Sequence, residues 1–441
     1  MKKKYAIVGT GGRSEMYFNA LTGGEFDDCA ELVALCDMNQ GRLDFYNAKL
    51  EKPLPTYRHD QFEQMIKECE VDTVIVTTID RTHHIYGCRA MELGCDVISE
   101  KPMTVDAEKC RMILDTQKKT GKNYIVTFNY RYSPRNTRVK ELLMSGICGE
   151  ITSVNFEWML DTSHGADYFR RWHRNKRNSG GLMVHKATHH FDLVNWWLDS
   201  VPESVYALGD LKFYGRENAE KRGVTEFYDR AKDDPVAAKD PFALIVEKDS
   251  HLDKLYYQNE KYDAYIRDQS VFSDGIDIED NMSVMVRYRN KVVMNYTLCA
   301  HCPYEGYRIC FNGTKGRLEF YVIESPQTGL REDLSHFGMR EANSIGGDDA
   351  GSRKNMAPEI LFQPFWGKPQ SFTYEMKEKT GHGGGDKLLL KNIFRGVTDD
   401  PFRLAADFHD GAWSIMTGIC ANISMRTGEA VRVLDVLGED L

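Results

Sequence analysis

Short apolar runs alternate with helical patterns through the first third of the chain. Runs of mostly apolar residues predict buried strands at 4–8, 31–36, 71–78, 96–99 and 124–128. The stretches 81–93 and 104–120 have the polarity of amphipathic helices. Strands that alternate with helices predict an α/β fold in which a doubly wound parallel sheet carries helices on both faces.

The second half of the chain has a different pattern, in which strand-like runs come in pairs. Two hairpins are predicted, with strands at 281–288, 291–298, 308–311 and 318–321. The charged, tyrosine-rich stretch 205–280 shows neither a helical nor a strand period, so we expect it to be an excursion from the sheet. An apolar helix at 410–426 is expected to pack on this second domain.

Composition narrows the class of protein. A chain of 441 residues exceeds one ordinary hydrophobic core, so we expect two domains, at 1–127 and 128–441. A net charge of −9 and a pI near 5.9 argue against a nucleic-acid partner or an anionic membrane surface. Scattered cysteines without a CxxC motif, no signal-peptide pattern and no apolar run of about 20 residues indicate a reducing, cytoplasmic setting.

A glycine-rich turn, GTGGRS at 9–14, follows the first predicted strand and precedes a helical segment. Bare backbone amides at such a position can approach a pyrophosphate. The candidate dinucleotide ligands are therefore Gly9, Gly11, Gly12, Arg13 and Ser14. Ser14 stands where the dinucleotide pattern has its third glycine, and an ordinary tight turn remains the alternative.

The ends of the predicted strands carry further polar residues. Asp37 ends the second strand, where a carboxylate accepts hydrogen bonds from an adenosine ribose and repels a 2′-phosphate. NAD is therefore expected rather than NADP, although Arg13 or Arg42 could offset the preference. Because the carboxyl ends of parallel strands meet at one edge, we expect cofactor and substrate to meet there. The residues at this edge are Gly9, Asp37, Thr77, Thr78, Glu100, Lys101 and Asn129.

The stretch GGLMVHKATHHFD, 180–192, is rich in histidine. On one continuous helix His185, His189 and Asp192 would share a narrow face, with His190 on another. Polar groups on an otherwise apolar helix need partners or a polar cleft. For His185 and His189 three interpretations stay open, namely acid–base or substrate contact, metal ligation and packing. H-x-x-x-H lacks a third ligand, so we expect no metal, and we expect His190 to be structural.

Three motifs make the chain resemble the Gfo/Idh/MocA oxidoreductase family along nearly its whole length. They are GTGGRS with Asp37, TTIDRTHHIYGCRAMELGCDVISEKPM at 77–103, and NSGGLMVHKATHHFDLVNWWL at 178–198. The resemblance implies an N-terminal Rossmann domain, a C-terminal α/β domain with an open, mostly antiparallel sheet, and NAD(P)-dependent chemistry on sugars, cyclitols and related molecules. It also implies Lys101 and His189 as the catalytic pair, and subunit contacts through the sheet, hence a dimer or tetramer.

Two positions depart from the family pattern. Thr78-Ile79-Asp80 stands in place of T-P-N, although the histidine of that segment is retained as His83, a further candidate near the cofactor. His185 stands in place of the Asp of D-x-x-x-H, so an anionic partner is expected to be missing there. His185 is therefore neutral, cationic or a ligand, and we assign it an assisting catalytic role.

The residues permit oxidation of a secondary alcohol. His189 is suited to take the hydroxyl proton and Lys101 to stabilise the developing alkoxide. Asp192 is a candidate to fix the tautomer of His189, with a structural cap or salt bridge as the alternative.

Donor-rich and aromatic segments suggest a carbohydrate substrate. Sugars present hydroxyl groups and apolar C–H faces, which suit tyrosine, tryptophan and arginine side chains. The candidate substrate contacts are Arg131, Tyr168, Arg171, Trp172, His185 and His189. For the segment 163–174 a solvated loop with an aromatic anchor is the alternative. His382 and Asp386 of the glycine cluster GHGGGD either reach the pocket or belong to a flexible turn.

Together these features predict a cytoplasmic, homo-oligomeric NAD-dependent dehydrogenase acting on a secondary hydroxyl or ketone of a sugar, glycoside or cyclitol. One alternative is a glycosidase that uses tightly bound NAD for transient oxidation. Another is a non-catalytic nucleotide-sensing regulator, against which the presence of both Lys101 and His189 argues.

Overall fold

The chain forms two β-sheets in a computed structural model. The model describes residues 2–325, 328, 360–375, 384–396 and 399–438. The first sheet has six parallel strands in the order β3-β2-β1-β4-β5-β6. Its strands are β1 (Lys3–Val8), β2 (Ala30–Asp37), β3 (Thr56–Arg58), β4 (Thr73–Val76), β5 (Asp96–Ser99) and β6 (Tyr124–Val126). Its helices are α1 (Glu15–Thr22), α2 (Gln40–Asn47), α3 (Phe62–Glu68), α4 (His83–Glu92) and α5 (Ala107–Thr120).

The predicted doubly wound parallel sheet is confirmed. All four residues of β4 are buried, as are the last four of β1, because helices cover both faces of these central strands. The edge strand β3 was not predicted. It has three residues of mixed exposure, too few to produce a pattern.

The second sheet has nine strands in the order β14-β13-β12-β11-β7-β10-β9-β8-β15. All neighbours are antiparallel except β7 and β10, which confirms an open, mostly antiparallel sheet. The strands are β7 (Ile151–Asp161), β8 (Pro202–Asp210), β9 (Asn281–Tyr288), β10 (Val293–Cys302), β11 (Glu305–Gly313), β12 (Gly316–Ser325), β13 (Ile360–Pro364), β14 (Gln370–Phe372) and β15 (Val431–Arg432). Along β9 exposed and buried residues alternate, so one face packs on the core and the other is open.

Helices also occur throughout the described part of the chain that follows β6. They are α6 (Pro134–Met144), α7 (Thr162–Arg170), α8 (Lys176–Ser179), α9 (Leu182–His185), α10 (Thr188–Leu198), α11 (Arg216–Lys221), α12 (Ser250–Leu255), α13 (Glu260–Asp263), α14 (Gly385–Arg395), α15 (Phe408–Thr427) and α16 (Val433–Leu437). The long helix α15 matches the predicted C-terminal helix and packs on β8 and α10. The continuous helix assumed for the histidine-rich stretch is wrong, because α9 and α10 are separated at Lys186 and Ala187.

The tyrosine-rich excursion begins later than expected, because β8 occupies its first residues. Between β8 and β9 it forms short helices. Its ends pack on the second domain, where the Tyr214 hydroxyl donates to the backbone oxygen of Ala300 in β10, and its middle packs on the first domain. Leu252, Leu255 and Tyr256 share a hydrophobic cluster with Leu43 and Tyr46 of α2. The excursion thereby reaches the carboxyl edge of the first sheet, where β1 and β2 end.

We expect Gly9→Ala to be strongly destabilising. Gly9 has a φ of +90°, and an added Cβ would lie 2.6 Å from the backbone nitrogen of Thr78. Gly24 is a matched control, since its φ is +87° but its Cβ would meet nothing within 4 Å. Urea unfolding should show a loss of about 1 kcal/mol for Gly24→Ala and about 3 kcal/mol for Gly9→Ala. Equal losses would contradict the close approach of β1 to the segment after β4.

Candidate active site

A cleft of about 1990 Å³ lies between the carboxyl edge of the first sheet and the helices of the second domain. One end is lined by the glycine turn after β1, and the other by residues of α7, α9 and α10. Lys101, His185 and His189 all line it. The chain therefore brings the predicted catalytic residues and the predicted dinucleotide turn into one continuous space.

The glycine turn forms the nucleotide end of this cleft. Gly9, Gly11, Gly12, Arg13 and Asp37 line it. A Cβ at Gly12 would lie 3.2 Å from the hydroxyl oxygen of Tyr256, so the turn is tight as well as bare. A backbone without side chains at the start of a helix fits the pyrophosphate of a dinucleotide.

Two residues predicted at the cofactor lie behind the cleft wall instead. The Ser14 hydroxyl donates to the carbonyl oxygen of Gly11 at 2.7 Å and so supports the turn. The Asn129 side chain is fully buried and donates to Asp386 at 2.6 Å. Asp386 itself lines the cleft, whereas His382 lies outside the described residues.

Thr77, Thr78, His83 and Glu100 line the cleft as predicted for this edge of the sheet. The two ring nitrogens of His83 lie 2.8 Å from the carbonyl oxygen of Pro102 and 3.0 Å from that of Thr78. His83 therefore ties the Glu100-Lys101-Pro102 segment to the end of β4.

Carboxylates pair with both arginines near the nucleotide end. The Arg42 guanidinium lies 3.0 Å from Asp37 and 2.6 Å from Asp263. Arg13 Nε lies 2.7 Å from Glu100. These ion pairs leave neither arginine as an unmatched positive charge.

The excursion supplies contacts that the sequence did not reveal. The Tyr256 hydroxyl accepts a hydrogen bond from the backbone N–H of Gly12 at 2.8 Å. The backbone oxygen of Asn259 accepts one from Asn39 at 3.0 Å. With the Arg42–Asp263 pair, these bonds fix the excursion over the nucleotide end.

Lys101 projects from the end of β5 towards α9. Its Nζ donates to the backbone oxygen of His185 at 3.0 Å. Burial lowers the pKa of Lys101 to about 8, against the opposing effect of the nearby Asp80 carboxylate. The ammonium form is thus easily lost just above neutral pH.

His185 has an anionic partner, contrary to the expectation from the family pattern. Asp80 Oδ2 lies 2.5 Å from His185 Nδ1, and both groups are buried. Asp80 and His185 are the two residues that depart from the family pattern, and each is the hydrogen-bond partner of the other. Burial raises the pKa of Asp80 and lowers that of His185. The pair can therefore hold a single proton between its two members.

His189 lines the cleft with 2% of its surface exposed, edge-on to the ring of Tyr130 at 4.8 Å. Asp192 has the alternative role, a salt bridge, because its two carboxylate oxygens accept from Arg131 at 2.6 and 2.8 Å. His190 is in the core, as expected, with Nδ1 2.6 Å from the Tyr296 hydroxyl.

Of the predicted substrate contacts, Tyr168, Arg171 and Trp172 line the cleft and Arg131 does not. Arg131 is 2% exposed, and its guanidinium is held by Asp192 and, at 3.0 Å, by Asp410. It joins the end of the first sheet to α10 and α15. The cleft residues that the sequence analysis did not select as site residues include Asp80, His164, Asp167, Lys186, Tyr256 and Glu305.

Within the described part of the chain, no group of three or more His, Cys, Asp or Glu side chains is placed to hold a metal ion. None of the described helices combines the length and the apolar character that crossing a bilayer requires. The eleven cysteines are all free thiols.

Comparison with known proteins agrees with this geometry. Residues 3–128 match the model of the oxidoreductase family NAD-binding Rossmann fold, and residues 140–433 match its C-terminal alpha/beta domain. The chain therefore belongs to the Gfo/Idh/MocA family of oxidoreductases, and its first domain is an NAD-binding Rossmann domain.

Two relatives are similar to this chain in sequence, and one solved structure is similar to it in fold. "Putative oxidoreductase YteT" of Bacillus subtilis (strain 168) is 35% identical over 94% of each chain. D-glucoside 3-dehydrogenase of Escherichia coli (strain K12) is 33% identical over 27% of this chain and 34% of its own. The WlbA dehydrogenase of Bordetella pertussis, solved with NADH and UDP-GlcNAcA, has the same fold, with a TM-score of 0.62 and 16% identity over 98% of this chain and 99% of its own.

We expect Arg131→Met to destabilise the protein rather than to weaken substrate binding selectively. Removal of the guanidinium leaves Asp192 buried without its partner, which typically costs about 3–5 kcal/mol. Arg403→Met is the matched control, since its ion pair with Asp199 is largely exposed and should matter little. Thermal and urea unfolding measure both variants. An Arg131→Met protein that is stable but has a raised KM for the sugar would instead support Arg131 as a substrate contact.

Proposed function

We propose that this protein is an NAD-dependent dehydrogenase that interconverts a secondary hydroxyl and a ketone on a sugar, glycoside or cyclitol. The observation that carries the proposal is the position of Lys101. Its Nζ is 3.0 Å from the backbone oxygen of His185, four residues before His189, in a cleft that continues to the glycine turn. An ammonium from one domain and an imidazole from the other therefore face the same space beside a dinucleotide site.

Each of the cleft residues has a different role in the proposed reaction. Bound NAD supplies the hydride acceptor for the substrate carbon. His189 takes the proton of the substrate hydroxyl, and Lys101 stabilises the negative charge that develops on its oxygen. In the reverse direction His189 returns the proton to the ketone oxygen. His185 and Asp80 position Lys101 through the His185 backbone oxygen and through the charge of the carboxylate.

NAD is the preferred dinucleotide in this proposal. Asp37 lines the nucleotide end, and its carboxylate repels a 2′-phosphate. Arg42 and Arg13 could have attracted that phosphate, but each is paired with a carboxylate. Supporting NADP would require breaking one of these ion pairs.

A second candidate is a reaction in which NAD is reduced and reoxidised without leaving the protein. The excursion favours it, because Tyr256, Asn259 and Asp263 hold one wall of the nucleotide end in place. A transient oxidation of this kind would serve a glycosidase. Net NADH accumulation during turnover separates a dehydrogenase from this second candidate.

We also infer that the protein is a homo-oligomer that uses the open face of the second sheet. Tyr206 and Met285 are cross-strand neighbours of β8 and β9, and both are exposed. Leu208, two residues along β8, is exposed as well. A second copy of the sheet would bury this apolar surface.

The main test is a panel of sugars, glycosides and cyclitols with NAD or NADP, followed by NADH absorbance. We expect turnover with NAD, lowered about a hundredfold or more in Lys101→Met and in His189→Ala. Lys254→Met and His409→Ala change exposed residues outside the cleft and serve as controls. Unchanged rates in both cleft variants would remove the proposed roles.

The pH profile tests the link between Asp80 and Lys101. Because the ammonium form is required, kcat/KM for alcohol oxidation should fall as the pH rises through about 8. The Asp80 charge raises the pKa of Lys101, so Asp80→Asn should move this fall to lower pH. Asp115→Asn, on the exposed side of α5, should leave it in place. A rate that rises through pH 8 would instead make Lys101 a base.

A further inference from the structure

Lys186 is a buried cation that has no anionic partner among the described residues. It lies between α9 and α10, is 5% exposed and lines the substrate end of the cleft. Its Nζ is 5.0 Å from the centre of the Trp158 ring and 6.0 Å from that of Tyr130. Among the described residues this ammonium forms neither an ion pair nor a hydrogen bond. Burial lowers its pKa, as expected for a positive charge that is not fully compensated.

The carboxylates around Lys186 already have other partners. Glu305 and Glu324 are the acidic groups whose charges act on it, but each is bonded elsewhere. The pairs at this end of the cleft are His164–Glu305, Arg135–Glu324, Arg171–Asp167 and His185–Asp80. At the substrate end of the cleft, the described chain therefore leaves the ammonium of Lys186 available to pair with an anionic ligand.

The position of Lys186 relates it to the reacting group. Lys186 and His189 both line the cleft near the Tyr130 ring, whose centre is 6.0 Å from Lys186 Nζ and 4.8 Å from the centre of the His189 ring. A monosaccharide ring whose hydroxyl meets His189 can therefore place a substituent near Lys186. Aromatic rings border the ammonium, and a neighbouring guanidinium, Arg135, is taken by Glu324. One ammonium suits a singly charged carboxylate better than a phosphate, which recruits several donors.

We propose that the substrate is an acidic sugar, a uronic acid or its glycoside, whose carboxylate binds Lys186. This inference rests on the proposed function, since it names the substrate class of the same cleft. The carboxylate does not react. It forms a charge-assisted hydrogen bond in a desolvated site and so fixes which carbon of the ring faces His189.

Direct binding is the first test. Calorimetric titration of the NAD-loaded protein should show D-glucuronate or D-galacturonate binding at least about tenfold more tightly than D-glucose or D-galactose. Lys186→Met should abolish this preference, and Lys186→Arg should retain part of it. Lys254→Met, on the exposed side of α12, should leave it intact. Equal affinity for acidic and neutral sugars in the unaltered protein, or tighter binding of glucose 6-phosphate, would overturn the proposal.

Kinetics separate this inference from the proposed function. We expect the Lys186→Met loss to be about a hundredfold in kcat/KM for the uronate, mostly in KM, and under about threefold for the neutral sugar. Uronate binding that depends on Lys186 without NADH formation would leave the inference standing and remove the dehydrogenase. NADH formation from uronates and neutral sugars at similar rates, with a uronate kcat/KM that Lys186→Met does not change, would do the reverse. Should Lys186→Met fail to fold by circular dichroism, Lys186→Gln replaces it in both measurements.

Discussion

The hydrogen bond between Asp80 and His185 is the contact on which the cleft depends. It joins the edge of the first sheet to α9 of the second domain, and both of its groups are buried. A buried carboxylate is costly unless a partner compensates it, so the two domains are held in the arrangement that pairs them. The same arrangement puts Lys101 against the backbone of His185. The position of Lys101 in the cleft thus depends on the pairing of a buried carboxylate.

That bond also changes how the departures from the family pattern are understood. Considered separately, Asp in place of Asn at position 80 adds a negative charge to the buried contact, and His in place of Asp at position 185 removes one. In space the two residues are each other's hydrogen-bond partner, so the carboxylate and the imidazole satisfy one another. Because the two residues are 105 positions apart, no local pattern in the sequence links them.

Sequence patterns predicted the features that depend on residues close together in the chain. The buried strands of the first sheet, the glycine turn and the position of Lys101 follow from runs of apolar residues and from the breaks between them. The roles of Arg131, Asp192 and Tyr256 depend on distant partners. Tyr256 meets Gly12 across 244 positions, and Arg131 meets Asp192 across 61. If α9 and α10 were one continuous helix, Asp192 would lie on the same face as His185 and His189. In the structure Asp192 instead pairs with Arg131.

The two lysines of the cleft are coupled through the same low-dielectric space. The charge of Lys186 lowers the pKa of Lys101, while that of Asp80 raises it. A carboxylate bound at Lys186 would offset the first effect and keep Lys101 in its ammonium form at the moment when an alkoxide needs stabilising. A neutral sugar would leave the two ammonium groups opposing each other. Recognition of an acidic substrate and activation of the catalytic lysine would then be one electrostatic event.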